Sequence, residues 1–170
     1  MATTETMWLK DGSPEGACGK ILDTEDSRVV VKRMHRRLKH RSKCHNAKKQ
    51  CELQTWVAGL LTPANGFSSL FCPATVAWPL DREYAMERID CSQELGPSEL
   101  IGREMDELKL FYEKAKEAGI FPCDYELYRQ ADGRIGLIDF DKFGSWSGDE
   151  VVFPWDLIWD TPLYPWSVNQ

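Results

Sequence analysis

The sequence predicts an α+β fold, on three observations. Short β-branched or apolar runs are bounded by Gly, Pro, Asn and Asp. Two longer segments carry helical spacing. The elements follow in the order hairpin, helix, two strands, long helix, hairpin, with a tail rich in Trp and Pro. A chain of 170 residues has room for one domain, or for two small lobes sharing a cleft.

The first dozen residues read as loosely ordered. In "SPEGACGKIL" a glycine-bearing turn enters a short strand, "DTEDS" is a polar turn and "RVVVKR" is a β-branched strand, so residues 16–33 read as a hairpin. "NAKKQCELQTWVAGLL" sets Ala47, Cys51, Trp56 and Leu60 at helical spacing, with Leu53 and Val57 between them, and "TPANG" closes it. "LFCPATVAWPL" and "DREYAMERID" suggest two strands of a meander turning near Asp81-Arg82. The strongest helix is "GPSELIGREMDELKLFYEKAKEAG". Ser98 is its expected N-cap, Leu100, Ile101, Met105, Leu108, Phe111 and Ala115 share a face, and Gly119 ends it. "YELYRQADGRIGLIDF" alternates and turns at Asp132-Gly133.

The net charge of −6 conceals a segregation. Residues 32–49 hold nine Lys/Arg, all three histidines and no acidic residue, giving +9 there and −15 elsewhere. Such a stretch is either a solvated face or a contact surface for an acidic protein or a nucleic acid. No aromatic residue interrupts it, so contact with a nucleic acid would be to the backbone, not by base stacking. His35, His40 and His45 recur every five residues, which fits neither a helix face nor a zinc module. No apolar run reaches membrane-spanning length and the N-terminus lacks a signal-peptide layout. The six scattered cysteines therefore read as reduced thiols of an intracellular protein. The tail, residues 145–170, holds four of the seven tryptophans (Trp146, Trp155, Trp159, Trp166). Burial in the core and a docking surface both fit them.

One feature points to chemistry. The apolar run Ile135–Ile138 ends on Asp139-Phe140-Asp141. Two carboxylates at the tip of a buried strand either form a turn or hold a metal–phosphate complex, because Mg²⁺ takes one or two carboxylates plus phosphate oxygens.

The order of elements, with these residues, resembles the protein-kinase-like superfamily. "EGACGKIL" stands where that family has its glycine-rich phosphate loop, with Gly16 and Gly19 letting backbone N–H groups approach phosphate. "VVVKR" resembles the strand carrying the ATP-anchoring lysine, Lys32, and Glu52 matches its helical ion-pair partner. "EYAMERI" resembles the strand entering the hinge. Met86 would back an adenine pocket, and Glu87 and Ile89 would offer backbone hydrogen bonds. "LIDFD" resembles the metal-binding strand end, with Asp139 as ligand. The run "IDFDKFG…GDEVVFPWDL" is similar to aminoglycoside-phosphotransferase-like kinases, with Gly148-Asp149 and Trp155-Asp156-Leu157 in the expected order; Asp156 would anchor loop backbone. The basic stretch after the lysine is similar to small Bud32-type kinases.

The departures lie in the catalytic loop. Aligned on "EAGI", Asp124 takes the position of the catalytic base; aligned on the "ADGRIGLID" hairpin, that position is Phe121 and the second metal ligand is Glu126. No HRD, HGD or downstream Asn occurs in 119–135. The resemblance thus implies a minimal two-lobed kinase-like fold with a truncated C-terminal lobe. Residues 1–12 would be flexible, 13–90 a β-rich N-lobe with one helix, and 91–170 the reduced C-lobe. It implies ATP and Mg²⁺ as cofactors and a pseudokinase or very weak phosphotransferase acting as a scaffold, with residues 32–49 and the Trp-rich tail as contact surfaces. The alternatives are an active atypical phosphotransferase using Asp124, and a nucleic-acid-associated or assembly protein.

Overall fold

A computed structural model describes residues 4–6, 19–34, 44–76, 79–153 and 166. In chain order its elements are β1 (Thr4–Thr6), β2 (Gly19–Asp23), β3 (Val29–Met34), α1 (Ala47–Leu60), β4 (Leu70–Phe71), β5 (Glu83–Glu87), β6 (Glu94–Leu95), α2 (Gly102–Glu117), β7 (Ile120–Phe121), β8 (Glu126–Arg129), β9 (Ile135–Ile138), β10 (Gly144–Ser147) and β11 (Glu150–Val152). The fold is mixed α+β.

Strands β1-β2-β3-β5 form an antiparallel sheet. The expected hairpin is present as β2 and β3, and its valines are β-branched residues suited to a pleated surface. Period-two alternation puts Val30, Lys32 and Met34 on the buried face of β3, where Tyr84 and Met86 of β5 stand opposite Lys32 and Val30. Helix α1 covers that face with Ala47 and Cys51. It starts where Asn46 accepts a hydrogen bond from Lys49 N–H at 2.8 Å. One correction concerns the N-terminus. Thr4–Thr6, within the stretch expected to be loose, pairs with Ile21–Asp23 as an edge strand, and its two threonines favour that state.

Strands β4-β9-β8-β6 form the second sheet, with β4 parallel to β9 and the other pairs antiparallel. The hairpin of β8 and β9 turns as the Asp-Gly signal predicts, with Gly133 at φ 87° and Asp132 accepting from Arg134 N–H at 3.0 Å. Leu127 and Leu137 face the main core, where α2 supplies Leu108, Phe111 and Ala115. On the opposite face Tyr128 and Ile138 pack with Ile89. The third sheet is β11-β10-β7.

Two element expectations are corrected. "LFCPATVAWPL" is not one strand of a meander. Leu70–Phe71 pairs with β9, and the chain then crosses to the first sheet, where Thr75 bridges Met86. Pro73 and Pro79 lack the N–H that a continuous strand requires. Ser98 is not the N-cap of α2, because Pro97–Glu99 forms a separate 3₁₀ turn and Leu100 is extended. Glu104 caps the helix instead, accepting from Ile101 N–H at 3.1 Å. Ile101 is consequently exposed rather than on the buried face.

Cys51, Cys72, Cys91 and Cys123 are free thiols, but Cys44 is disulfide-bonded, which corrects the expectation of six reduced cysteines. Whether two thiols come within bonding distance is set by folding, not by their spacing. Among the described residues, no helix is long and apolar enough to cross a membrane.

Candidate functional site

Residues 107 positions apart meet where the first sheet faces the end of β9. Lys32 Nζ donates to Asp139 Oδ1 at 3.1 Å, with the lysine side chain 11% and the aspartate 26% exposed. Strand alternation sends Lys32 to the buried side. Asp139 follows four buried residues of β9 and has φ 78°, a left-handed conformation that Asp tolerates better than most residues. That reversal lets Phe140 and Phe143 drop into the core, their ring centroids 5.0 Å apart.

The intervening Asp141 is buried, and its backbone N–H and carboxyl both hydrogen-bond toward Asp139. His45 clamps this segment from the start of α1. Its N–H donates to Asp141 O at 2.7 Å and its Nε2–H to Phe143 O at 2.6 Å. Burial pushes the His45 pKa down, and the Phe143 carbonyl, which accepts from the ring, partly offsets it.

The two carboxyls are driven apart electrostatically. Burial opposes ionisation of Asp139, but Lys32 and the hydrogen bonds from Asp141 outweigh it and hold its pKa below the ordinary value. Burial first, and then the Asp139 charge, push Asp141 up to about 8. The pair therefore carries one proton at neutral pH. Although burial alone would discharge Lys32, Asp139, with smaller contributions from Tyr84 and Asp141, keeps it cationic. Asp141 Oδ1 and, on α1, Gln50 Oε1 are buried acceptors with no hydrogen-bond partner.

Glu52 requires a correction. The resemblance made it the partner of Lys32, yet Glu52 is exposed and Lys32 pairs with Asp139. Helix geometry explains the difference. Gln50 and Gln54 lie on the buried face of α1, and a residue two positions from each points the opposite way. Gln54 instead donates to Pro73 O at 2.9 Å and accepts from Tyr84 OH at 3.0 Å.

The remaining expected residues are scattered around this centre. Gly19 opens β2 opposite Met34, and Gly16 lies outside the described residues. Met86 is buried, with its sulfur 3.2 Å from Gln54 Nε2. The Glu87 N–H is engaged with Ala74 O at 2.9 Å; Ile89 packs on Tyr128 and Ile138. Glu126 stands opposite Ile138 on β8 and accepts from Tyr128 OH at 2.7 Å. Asp124 has φ 55°, is 58% exposed on its side chain, and pairs with Lys142 at 2.9 Å. Residues 35–43 of the basic stretch lie outside the described residues, as do Trp155, Asp156, Leu157 and Trp159 of the tail. Trp146 and Trp166 pack edge-on against Phe121 and Tyr112, with centroids 5.6 and 5.0 Å apart.

Sequence inspection missed His45, Gln50, Gln54 and Lys142. Two glutamines four residues apart on an otherwise apolar helix face were a visible signal for a buried polar network; His45 and Lys142 carried none.

Among the described residues, no group of three or more His, Cys, Asp and Glu is arranged to hold a metal ion. Two carboxylates with one orphaned oxygen do suit Mg²⁺ that completes its shell with phosphate and water, and Lys32 beside them suits a phosphate oxygen. Compared with family models, with curated proteins and with solved structures, the chain matches none.

Proposed function

We propose that this chain is a kinase-like protein that binds Mg²⁺·ATP, transfers phosphate weakly or not at all, and acts as a scaffold for other macromolecules. In this reading the first sheet and α1 form a small N-lobe, and the remainder forms a reduced C-lobe. The Lys32–Asp139 pair is the observation that carries it. Burying an ammonium beside two carboxyls, one with an orphaned oxygen, is costly for a purely structural element, and breaking such a pair costs more than omitting it. A polyanion with a divalent cation relieves that arrangement. Mg²⁺ would sit on Asp139 and Asp141 and neutralise phosphate charge, Lys32 would hold phosphate oxygens, and Ile89, Tyr128 and Ile138 would offer an apolar floor for the base.

Weak transfer is supported by the rest of the site. Glu52 points away from Lys32, the Asp124 carboxylate is tied to Lys142, and the residue five positions after Asp124 is Arg129, held by Glu104. Positioning dominates phosphoryl transfer, so these departures reduce turnover more than binding.

A thermal-shift titration with ATP and Mg²⁺ on wild type and on Asp139→Asn tests this. Each shift is measured from the variant's own ligand-free melting temperature. A magnesium-dependent rise in wild type that is lost in Asp139→Asn supports the site; no rise at millimolar ATP removes it. Phosphotransfer that is readily detected and abolished by Asp124→Asn would make the protein an active kinase instead.

A further inference from the structure

Cys44 stands two residues before Asn46, the N-cap of α1. It is disulfide-bonded, whereas Cys51, Cys72, Cys91 and Cys123 are free, and the sequence holds one further cysteine, Cys18. Cys44 is buried in the cluster that Ile21, Met34, Ala47 and Cys51 form between the first sheet and α1. Gly19, next in sequence to Cys18, pairs with Met34, so β2 brings this end of the chain to that same cluster. The residue after Cys44 is the clamp on the loop that follows β9. His45 binds the Asp141 and Phe143 carbonyls at 2.7 and 2.6 Å. Gln50 Nε2 ties it back to the cluster, donating to His45 O at 2.7 Å and lying 3.1 Å from the Met34 sulfur.

We infer that the Cys44 disulfide, with Cys18 as its partner, is a redox switch that sets how firmly His45 holds the loop after β9. A cross-link removes freedom from the chain segment it closes, and cutting it returns that freedom. Here the segment released is the start of α1, whose grip on the loop consists of the two His45 hydrogen bonds. Asp141, beside the Lys32–Asp139 pair, lies under that grip, so reduction loosens the carboxylates while the main core, built on α2, β8 and β9, keeps its packing. The reaction is thiol–disulfide exchange with a dithiol reductant. One reductant thiolate attacks a sulfur of the bond and expels the other as a thiolate, which takes up a proton. The second reductant thiol then resolves the mixed disulfide. The protein gains two electrons and two protons as two thiols, and the dithiol is oxidised to its own disulfide.

Peptide mapping without reductant, followed by hydrogen exchange on the oxidised protein, on protein reduced with dithiothreitol, and on Cys44→Ser, Cys18→Ser and Cys51→Ser, tests this. Mapping should find Cys44 joined to Cys18. Reduction should speed exchange of the His45 amide, which donates to Asp141 O, about tenfold, as for the local opening of one segment. The amides of the β8–β9 ladder should be unchanged. Cys44→Ser and Cys18→Ser should exchange like the reduced protein with or without reductant. Cys51→Ser, which removes a free thiol from the same cluster, should keep the response to reduction. No cross-link at Cys44, no change at His45 on reduction, or loss of protection through the whole chain, which would make the bond a structural staple, each overturns the inference. No nucleotide takes part in this readout, so it decides the switch whether or not the nucleotide reading holds.

Discussion

Lys32 and Asp139 lie 107 residues apart and join at 3.1 Å, in an ion pair that links the first sheet to the tip of β9. The pair is mostly shielded from water, so each partner depends on the other. Asp139→Asn should destabilise the protein by about 3 kcal/mol, because it strands a buried ammonium. Lys32→Met with Asp139→Asn should cost less than the two single changes combined. Urea midpoints of the four proteins test this, and strict additivity would show that the pair does not couple.

Asp141 should make stability fall as pH rises. Unfolded it titrates at the ordinary 3.8, folded at about 8. Between those values the folded protein keeps a proton that the unfolded chain has released. Its contribution is fully present below the lower value and is lost through the higher one. Asp139, shifted the opposite way, loses its contribution only as pH falls through its depressed pKa. Asp141→Asn should therefore gain stability relative to wild type between about pH 5 and pH 9. Denaturation curves at both values decide it, and identical pH slopes would place the shared proton elsewhere.

Glu52→Ala should be nearly silent. Glu52 is exposed and α1 holds its place through other residues, so the change should stay within about 0.5 kcal/mol and leave any ATP-induced thermal shift intact. A lost shift would mean that α1 rotates to bring Glu52 to Lys32 when ligand binds.

Gly136 is packed too closely for a side chain. A Cβ there would lie 2.9 Å from Ile89 Cδ1 and 3.3 Å from Phe71 Cζ. Gly136→Ala should lose about 1–2 kcal/mol by overpacking. Ile89→Val removes the nearest clashing methyl, so the double variant should recover part of that loss. Melting temperatures of the three variants report it, and no recovery would assign the clash to Phe71.

Glu104 ties α2 to β8 and caps its own helix. It accepts from Arg129 at 2.7 and 3.0 Å and caps α2 at Ile101 N–H. Glu104→Gln keeps the cap but loses the charge, and should cost about 2 kcal/mol. Glu104→Ala loses both and should cost more. Equal effects in chemical denaturation would show that the ion pair contributes nothing beyond the cap.

The sequence by itself determined the strand of Val29–Val31, the Asp-Gly hairpin, both helices and the carboxylates at the end of β9. These follow from local preference and periodicity, which act within a few residues. Period two was enough to put Lys32 on the same face as Val30. Glu52, which the resemblance paired with Lys32, lies instead on the exposed side of α1. Tertiary structure alone decided what meets what. The partner of Lys32 depends on where β9 ends relative to the first sheet, and the split of residues 70–76 between two sheets depends on a parallel pairing with β9. Lys142 reaches Asp124 only because two-residue β7 pairs with β10. Such contacts arise from chain segments with no local relation to each other, and only packing of the whole core selects them.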